Sequence, residues 1–160
     1  VPFSGPWGKF GTGLAAAVPA GAGPVLVIGT DTGITACLGL VRGAAFRPLL
    51  DRARLAWMAP GADYFLPEPF VRELLPPPLR GRFEAVRIPP PGDPSRVAAA
   101  RGWFAGALAG GAPGAVCLAG DGAILYPLRE AAEAAGVPCD AVRIECYFNN
   151  PERKKTGDNG

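Results

Sequence analysis

Pro24-Val25-Leu26-Val27-Ile28-Gly29-Thr30-Asp31-Thr32-Gly33-Ile34-Thr35 decides the reading of this 160-residue chain. Pro24 to Ile28 form a continuous apolar run, as expected for a strand covered on both faces. Gly29 to Gly33 follow as a glycine-flanked loop, and Ile34 to Val41 reads as a helix. Glycines there let backbone N–H groups approach a phosphate, whose negative charge the helix N-terminus favours. Thr32 can cap the helix or bond a phosphate oxygen. On spacing alone, a phosphate cradle and a plain capped turn weigh about equally, because short glycine motifs recur by chance.

Outward from this stretch the same alternation repeats. Further strands are expected at Arg54–Ala59, Phe83–Ile88, Ala115–Ala119 and Ala141–Phe148. A short helix over Pro69–Leu75 is stopped by Pro76-Pro77-Pro78, and another opens at Asp93-Pro94 or Ser95 and runs to Leu108. The clearest helix is Ala123–Ala135, with Ile124, Leu125, Leu128, Ala131 and Ala132 on one face and Gly136 as its terminator. Five strands alternating with four helical segments imply a doubly wound five-stranded parallel sheet, a three-layer α/β/α domain of Rossmann-like design. Ligands bind such sheets at the carboxyl ends of the strands, where strand order reverses. The first and fourth strands are the candidates, since Gly29–Gly33 and Gly120-Asp121-Gly122 follow them. Residues 1–23 read as an irregular linker, 24–148 as the domain and 149–160 as a flexible tail.

Composition narrows the function classes. Hydrophobic residues make up 49% of the chain, enough for a real core, and its 23 glycines and 19 prolines punctuate apolar runs as turns. A net charge of +2 with interspersed signs gives nucleic acid no footprint. No apolar run approaches the roughly 20 residues that span a bilayer, and Val1 to Phe10 lacks the pattern of a secretory signal. Cys37, Cys117, Cys139 and Cys146 form no C-x-x-C pair and histidine is absent, so no metal site is expected. Cys37 and Cys117 lie in apolar runs and read as small buried hydrophobes, and a reducing cytoplasm is the expected setting.

Specific stretches add a resemblance. Pro24 to Thr35 resembles the first strand and Gly-Gly-Thr-Gly-Ile loop of the NAD(P)-binding domain of ferredoxin-reductase-type flavoproteins. Gly5-Pro6-Trp7-Gly8-Lys9-Phe10 is similar to the segment that leaves that family's flavin-binding barrel. Leu118-Ala119-Gly120-Asp121-Gly122 before Ile124-Leu125 is similar to its Cys-Gly-x-x-x-Met loop, and Arg143 to Phe148 resembles its final strand. The resemblance implies a nicotinamide nucleotide, NAD or NADP, with its pyrophosphate over Gly29, Thr30, Asp31, Thr32, Gly33 and Ile34. The nicotinamide end would lie near Gly120, Asp121 and Gly122. It also implies a flavin, FAD or FMN, in a missing domain of the same native polypeptide, and an electron-transfer partner protein. Tyr147 and Phe148 would lie near that flavin, and Glu145 is the candidate to assist proton movement.

Two departures stand out. Asp31 replaces the family's second glycine, and a carboxylate beside a pyrophosphate weakens binding unless it points away or meets a cation. Ala119 stands where the reductases carry cysteine. Both features are closer to the siderophore-interacting branch, and both motivate an alternative in which the domain is a degenerate interaction or regulatory module. No basic residue follows the second strand in Pro60 to Tyr64, which favours NAD over NADP. Arg52, Arg54 and Arg72 read as solvated surface charge, and Trp7, Trp57 and Trp103 as packing residues.

Overall fold

The computed structural model describes residues 10–19, 21–61 and 64–151. The stretch Gly5–Lys9, Trp7, and residues 152–160 of the expected tail lie outside the described residues. Five strands pair in parallel in the order β3-β2-β1-β4-β5. They are β1 (Val25–Thr30), β2 (Ala53–Ala59), β3 (Phe83–Arg87), β4 (Ala115–Asp121) and β5 (Val142–Phe148). Burial explains the order. β1 and β4 are buried along their whole length and take the centre, whereas β3 and β5 carry exposed or half-buried positions and take the edges.

The chain winds outward from β1 through α2 (Ile34–Arg42) and a 3-10 stretch (Ala44–Arg52) to β2. From there α3 (Glu68–Leu74) and α4 (Pro77–Arg80) lead to β3. It then recrosses the sheet through α5 (Arg96–Leu108) to β4, and α6 (Gly122–Ala134) leads to β5. Right-handed crossovers place α2, α3 and α4 on one face and α5 and α6, which pack on each other, on the opposite face. This is the expected doubly wound sheet, and its winding reverses between β1 and β4. Among the described residues no single helix is long and apolar enough to cross a membrane.

Several boundaries differ from the sequence reading. β1 continues through Thr30, and a single 3-10 turn, Asp31–Gly33, replaces the expected loop. β4 likewise runs to Asp121 and α6 begins at Gly122, so Gly120-Asp121-Gly122 is a strand end and helix start. α3 stops before the proline triplet as expected, and Pro77 then starts the additional helix α4, since proline at a first helical position gives up an N–H that has no helical partner anyway. A short helix, α1 (Leu14–Ala17), lies in the stretch read as irregular because Leu14 is buried. Gly136 does terminate α6: at φ 90° it lets Val137 N–H reach the Ala132 carbonyl at 3.0 Å.

Buried and clamped side chains complete the frame. Cys37 and Cys117 are fully buried, and burial pushes both thiols up, Cys117 to about 12, so both pack as hydrophobes as expected. Arg52 and Arg72 are not simply solvated. Arg52 donates to the Pro19 and Gly23 carbonyls, and Arg72 pairs with Glu68 at 3.0 Å while lying 4.9 Å over the Phe83 ring.

The first turn of α2 presses directly on the end of β4. A Cβ on Gly33 would sit 2.1 Å from the Ala119 carbonyl oxygen, whereas a Cβ on Gly39 would meet open space. Gly33→Ala is therefore expected to lower stability by about 1–3 kcal/mol or more through overpacking. Gly39→Ala, in the exposed middle of α2, is expected to raise it by roughly 0.5–1 kcal/mol. Urea titrations of both variants check the contrast.

Candidate functional site at the carboxyl edge

Where β1 and β4 part, four polar side chains are buried in an otherwise apolar core: Thr30, Asp31, Asp121 and, from α5, Arg96. The backbone ladder between the strands stops at Gly29 and Ala119. One step further, Thr30 Oγ1 accepts the Asp121 N–H at 2.8 Å and laces the two ends together. Gly120 makes this possible: at φ 127° it has no Cβ, which would lie 2.3 Å from Thr30 Oγ1. Gly29 is similarly required, since its Cβ would meet Ile34 N at 2.9 Å.

Asp121 turns the chain into α6. Its Oδ1 accepts the Ala123 N–H at 3.0 Å, a helix cap, and the Asn149 side-chain amide at 2.9 Å. Gly122 lets the chain after β5 close over this corner, since its Cβ would sit 2.3 Å from the Asn149 carbonyl oxygen. On the opposite side, Thr32 does not cap α2 through its side chain. Its carbonyl instead accepts the Thr35 hydroxyl at 2.8 Å, and α2 has no side-chain cap at all.

Asp31 is the unusual member. It holds a left-handed backbone, φ 52°, that favours glycine. Its carbonyl accepts the Trp57 indole N–H at 2.8 Å and the Ile34 N–H, so β2 and α2 both grip it. Its carboxylate pairs through Oδ2 with the buried guanidinium of Arg96, which also donates to the Pro89 carbonyl. Burial pushes the Asp31 carboxyl above the usual carboxylate range; the Arg96 bond and charge pull it back, and the Asp121 charge adds a small rise. The carboxylate expected to repel a phosphate has therefore met a cation.

The structure brings Thr30, Asp31, Thr32, Gly33, Ile34, Gly120, Asp121 and Gly122 into one corner, with Gly29 just beneath it in β1. Glu145, Tyr147 and Phe148 lie along the edge strand β5. Glu145 and Tyr147 share one face of that strand, and burial raises both groups. Phe148, opposite Asp121, is exposed.

Three participants went unread in the sequence. Arg96 lies 65 positions from Asp31, and only the need of a buried carboxylate for a cation hints at it. Asn149 closes over Asp121 from the stretch read as a tail. Arg87, the last residue of β3, lies in register with Ala59 at the end of β2, with 45% of its side chain exposed and only a 3.9 Å approach to Glu68.

No protein-family model matches the chain, and no curated protein sequence does. Among solved structures it is similar to a cytochrome P450 reductase from Amycolatopsis, with TM-score 0.55 and 20% identity, over 78% of this chain and 37% of that one. It is also similar to the ferredoxin reductase of carbazole 1,9a-dioxygenase, with TM-score 0.56 and 17% identity, over 81% and 37%. A flavohemoglobin from Malassezia yamatoensis, solved with FAD and heme, matches with TM-score 0.53 and 14% identity, over 84% and 34%. The chain spans about a third of the length of each, and it shares the α/β fold of the part it covers in these three proteins.

The Asp31–Arg96 pair carries a stability signature. Arg96→Met leaves a buried carboxylate alone and is expected to cost roughly 3–5 kcal/mol, whereas Asp31→Gly with Arg96→Met is expected to be neutral or stabilising by about 1–4 kcal/mol. Because the Asp31 carboxyl is raised, the folded state holds its proton to higher pH than the unfolded chain does. Its contribution therefore falls as pH rises from the ordinary value of 3.8, and the double variant loses this dependence. Urea unfolding as a function of pH checks both statements.

Proposed function

We propose that this chain is the NAD(P)-binding domain of a flavin-dependent oxidoreductase or electron-transfer subunit. The observation that carries the reading is the reversal of winding between β1 and β4, with α2 opening directly at that reversal through a single tight turn. A dinucleotide's diphosphate would lie against the start of α2, where the helix N-terminus favours negative charge. The fit to an anion is supported by Arg96, whose buried Nε has no hydrogen-bond partner among the described residues.

The nicotinamide, once bound, supplies a hydride to a flavin, FAD or FMN, carried by a separate domain, and the protein's task is to orient the two rings. The residues here would serve that task by position. Gly33 and Ile34 hold the start of α2 against β4, and Gly120 and Asp121 set the height of the adjoining strand end. Tyr147 and Phe148, on the edge strand, would face the flavin side, with Glu145 beside them as a carboxyl already raised by burial. Such a domain works with a flavin domain and an electron-transfer partner in the cytoplasm; alone it holds no acceptor for the hydride.

The arginine at the end of β3 alters the preference read from sequence. Arg87 stands at the carboxyl edge beside the end of β2, where the adenosine ribose would lie, and its guanidinium suits a 2′-phosphate. A second reading, a degenerate module of the same fold, is favoured by the closure of the corner, since Thr30, Asp31, Arg96 and Asp121 are all buried.

Thermal unfolding in millimolar NADH and NADPH separates the two. A bound nucleotide at about 100 times its Kd adds roughly 2.7 kcal/mol, enough to raise Tm by several degrees. NADPH is expected to give the larger shift, and Arg87→Ala is expected to cut it to that of NADH. Absence of a shift with either nucleotide overturns the nucleotide reading in favour of the degenerate module.

A further inference from the structure

Arg96 and Asp31 meet in a buried pair at the corner where the sheet reverses. Asp31 belongs to the turn between β1 and α2 on one side, and Arg96 to the first turn of α5, which packs on the opposite face. The pair is only half made. A guanidinium and a carboxylate can join through two parallel bonds, which is their strong form. Here Oδ2 alone is engaged, while Asp31 Oδ1 and Arg96 Nε are buried without a hydrogen-bond partner among the described residues. A buried, unsatisfied polar atom is costly, and so is a left-handed aspartate, so this corner concentrates costs that a purely structural contact would shed.

We infer that Arg96 is an anion-receiving residue and that Asp31 is its resident counter-ion, a carboxylate that holds the guanidinium until a phosphorylated ligand takes its place. The inference rests on the nucleotide reading for the identity of the ligand, a diphosphate, but not for the existence of the site. The carboxylate keeps the buried guanidinium compensated when no ligand is present, and a diphosphate offers it two or more oxygens in place of one. Asp31 then sets affinity as a competitor, in addition to any part it plays in shaping the turn.

The two charges make opposite predictions, which loss of folding cannot imitate. Calorimetric titration of the whole chain with inorganic pyrophosphate and with ADP is expected to show binding at least about tenfold tighter for Asp31→Asn than for the unaltered protein. Asp31→Gly serves the same purpose if the asparagine variant does not fold. Adding Arg96→Lys to either variant keeps a positive charge but removes the planar fork, and is expected to abolish that gain. If Asp31→Asn and Asp31→Gly bind pyrophosphate no better than the unaltered chain, or if all variants lose affinity in parallel with their melting temperature, Arg96 is no anion receptor. Parallel titrations with NADH and NADPH keep the two ideas apart. Pyrophosphate gains without any nicotinamide-nucleotide binding would sink the nucleotide reading and leave the Arg96 site standing, while nucleotide binding indifferent to Asp31 would do the reverse.

Discussion

The architecture depends on one close approach, that of the start of α2 to the end of β4. Two neighbouring central strands wind in opposite directions from this point, so the backbone at Gly33 must lie almost in van der Waals contact with Ala119 and Gly120. Any side chain at Gly33 would push the helix from the sheet and open the reversal. Thr30 then takes over where the backbone ladder ends, using its hydroxyl to hold the Asp121 N–H. Glycine at Gly120 is the counterpart of that hydroxyl, since the two cannot share space with a Cβ. The glycines of this corner therefore serve backbone contact with backbone first, and any ligand lies above a surface they have already built.

The buried charge pair follows from the same geometry. A glycine-like φ at position 31 is imposed by the tight passage from strand to helix, and this chain meets it with an aspartate. A carboxylate in that position lies inside the domain, where it requires a partner. Arg96 answers from the far face, and its bond to the Pro89 carbonyl secures the connection between β3 and α5 as well. One substitution relative to a glycine turn thus recruits an arginine from across the sheet and ties both helical layers to the β1 end. Trp57 adds a third tie through its indole N–H, using the polar edge of a side chain whose ring is otherwise in the core.

The order of apolar runs made the sheet legible from sequence, because the unbroken apolar runs Pro24–Ile28 and Ala115–Ala119 mark central strands and mixed patterns mark edges. The reversal at the first and fourth strands was legible too, through the glycine–acid pairs that follow them. What the sequence hid was long-range or geometric. Whether Gly120-Asp121-Gly122 is a loop or a strand end depends on its pairing with β5, and Asp121 lies opposite Phe148 beyond a register shift that has no local signature. Arg96 and Arg87 were invisible as site residues because their relevance comes from neighbours 65 and 28 positions away, Asp31 and Ala59. The proline triplet ends α3 as expected, but it also hides the start of α4, since Pro77 can begin a helix as readily as Pro76 can end one.

A closed corner and a nucleotide site are compatible if closure is itself electrostatic. An apolar plug would have to be unpacked, with the loss of many small contacts at once. An ion pair with one bond made and two atoms unsatisfied is a different kind of barrier, because an incoming anion replaces what it removes. Displacement leaves the Asp31 carboxylate without its cation, and that cost is what makes it a competitor for the guanidinium. With glycine at position 31 the buried guanidinium of Arg96 would lose its carboxylate and keep its bond to the Pro89 carbonyl. Under the proposed reading, the aspartate converts a permissive backbone cradle into one whose occupancy is set by competition between two anions for a single guanidinium.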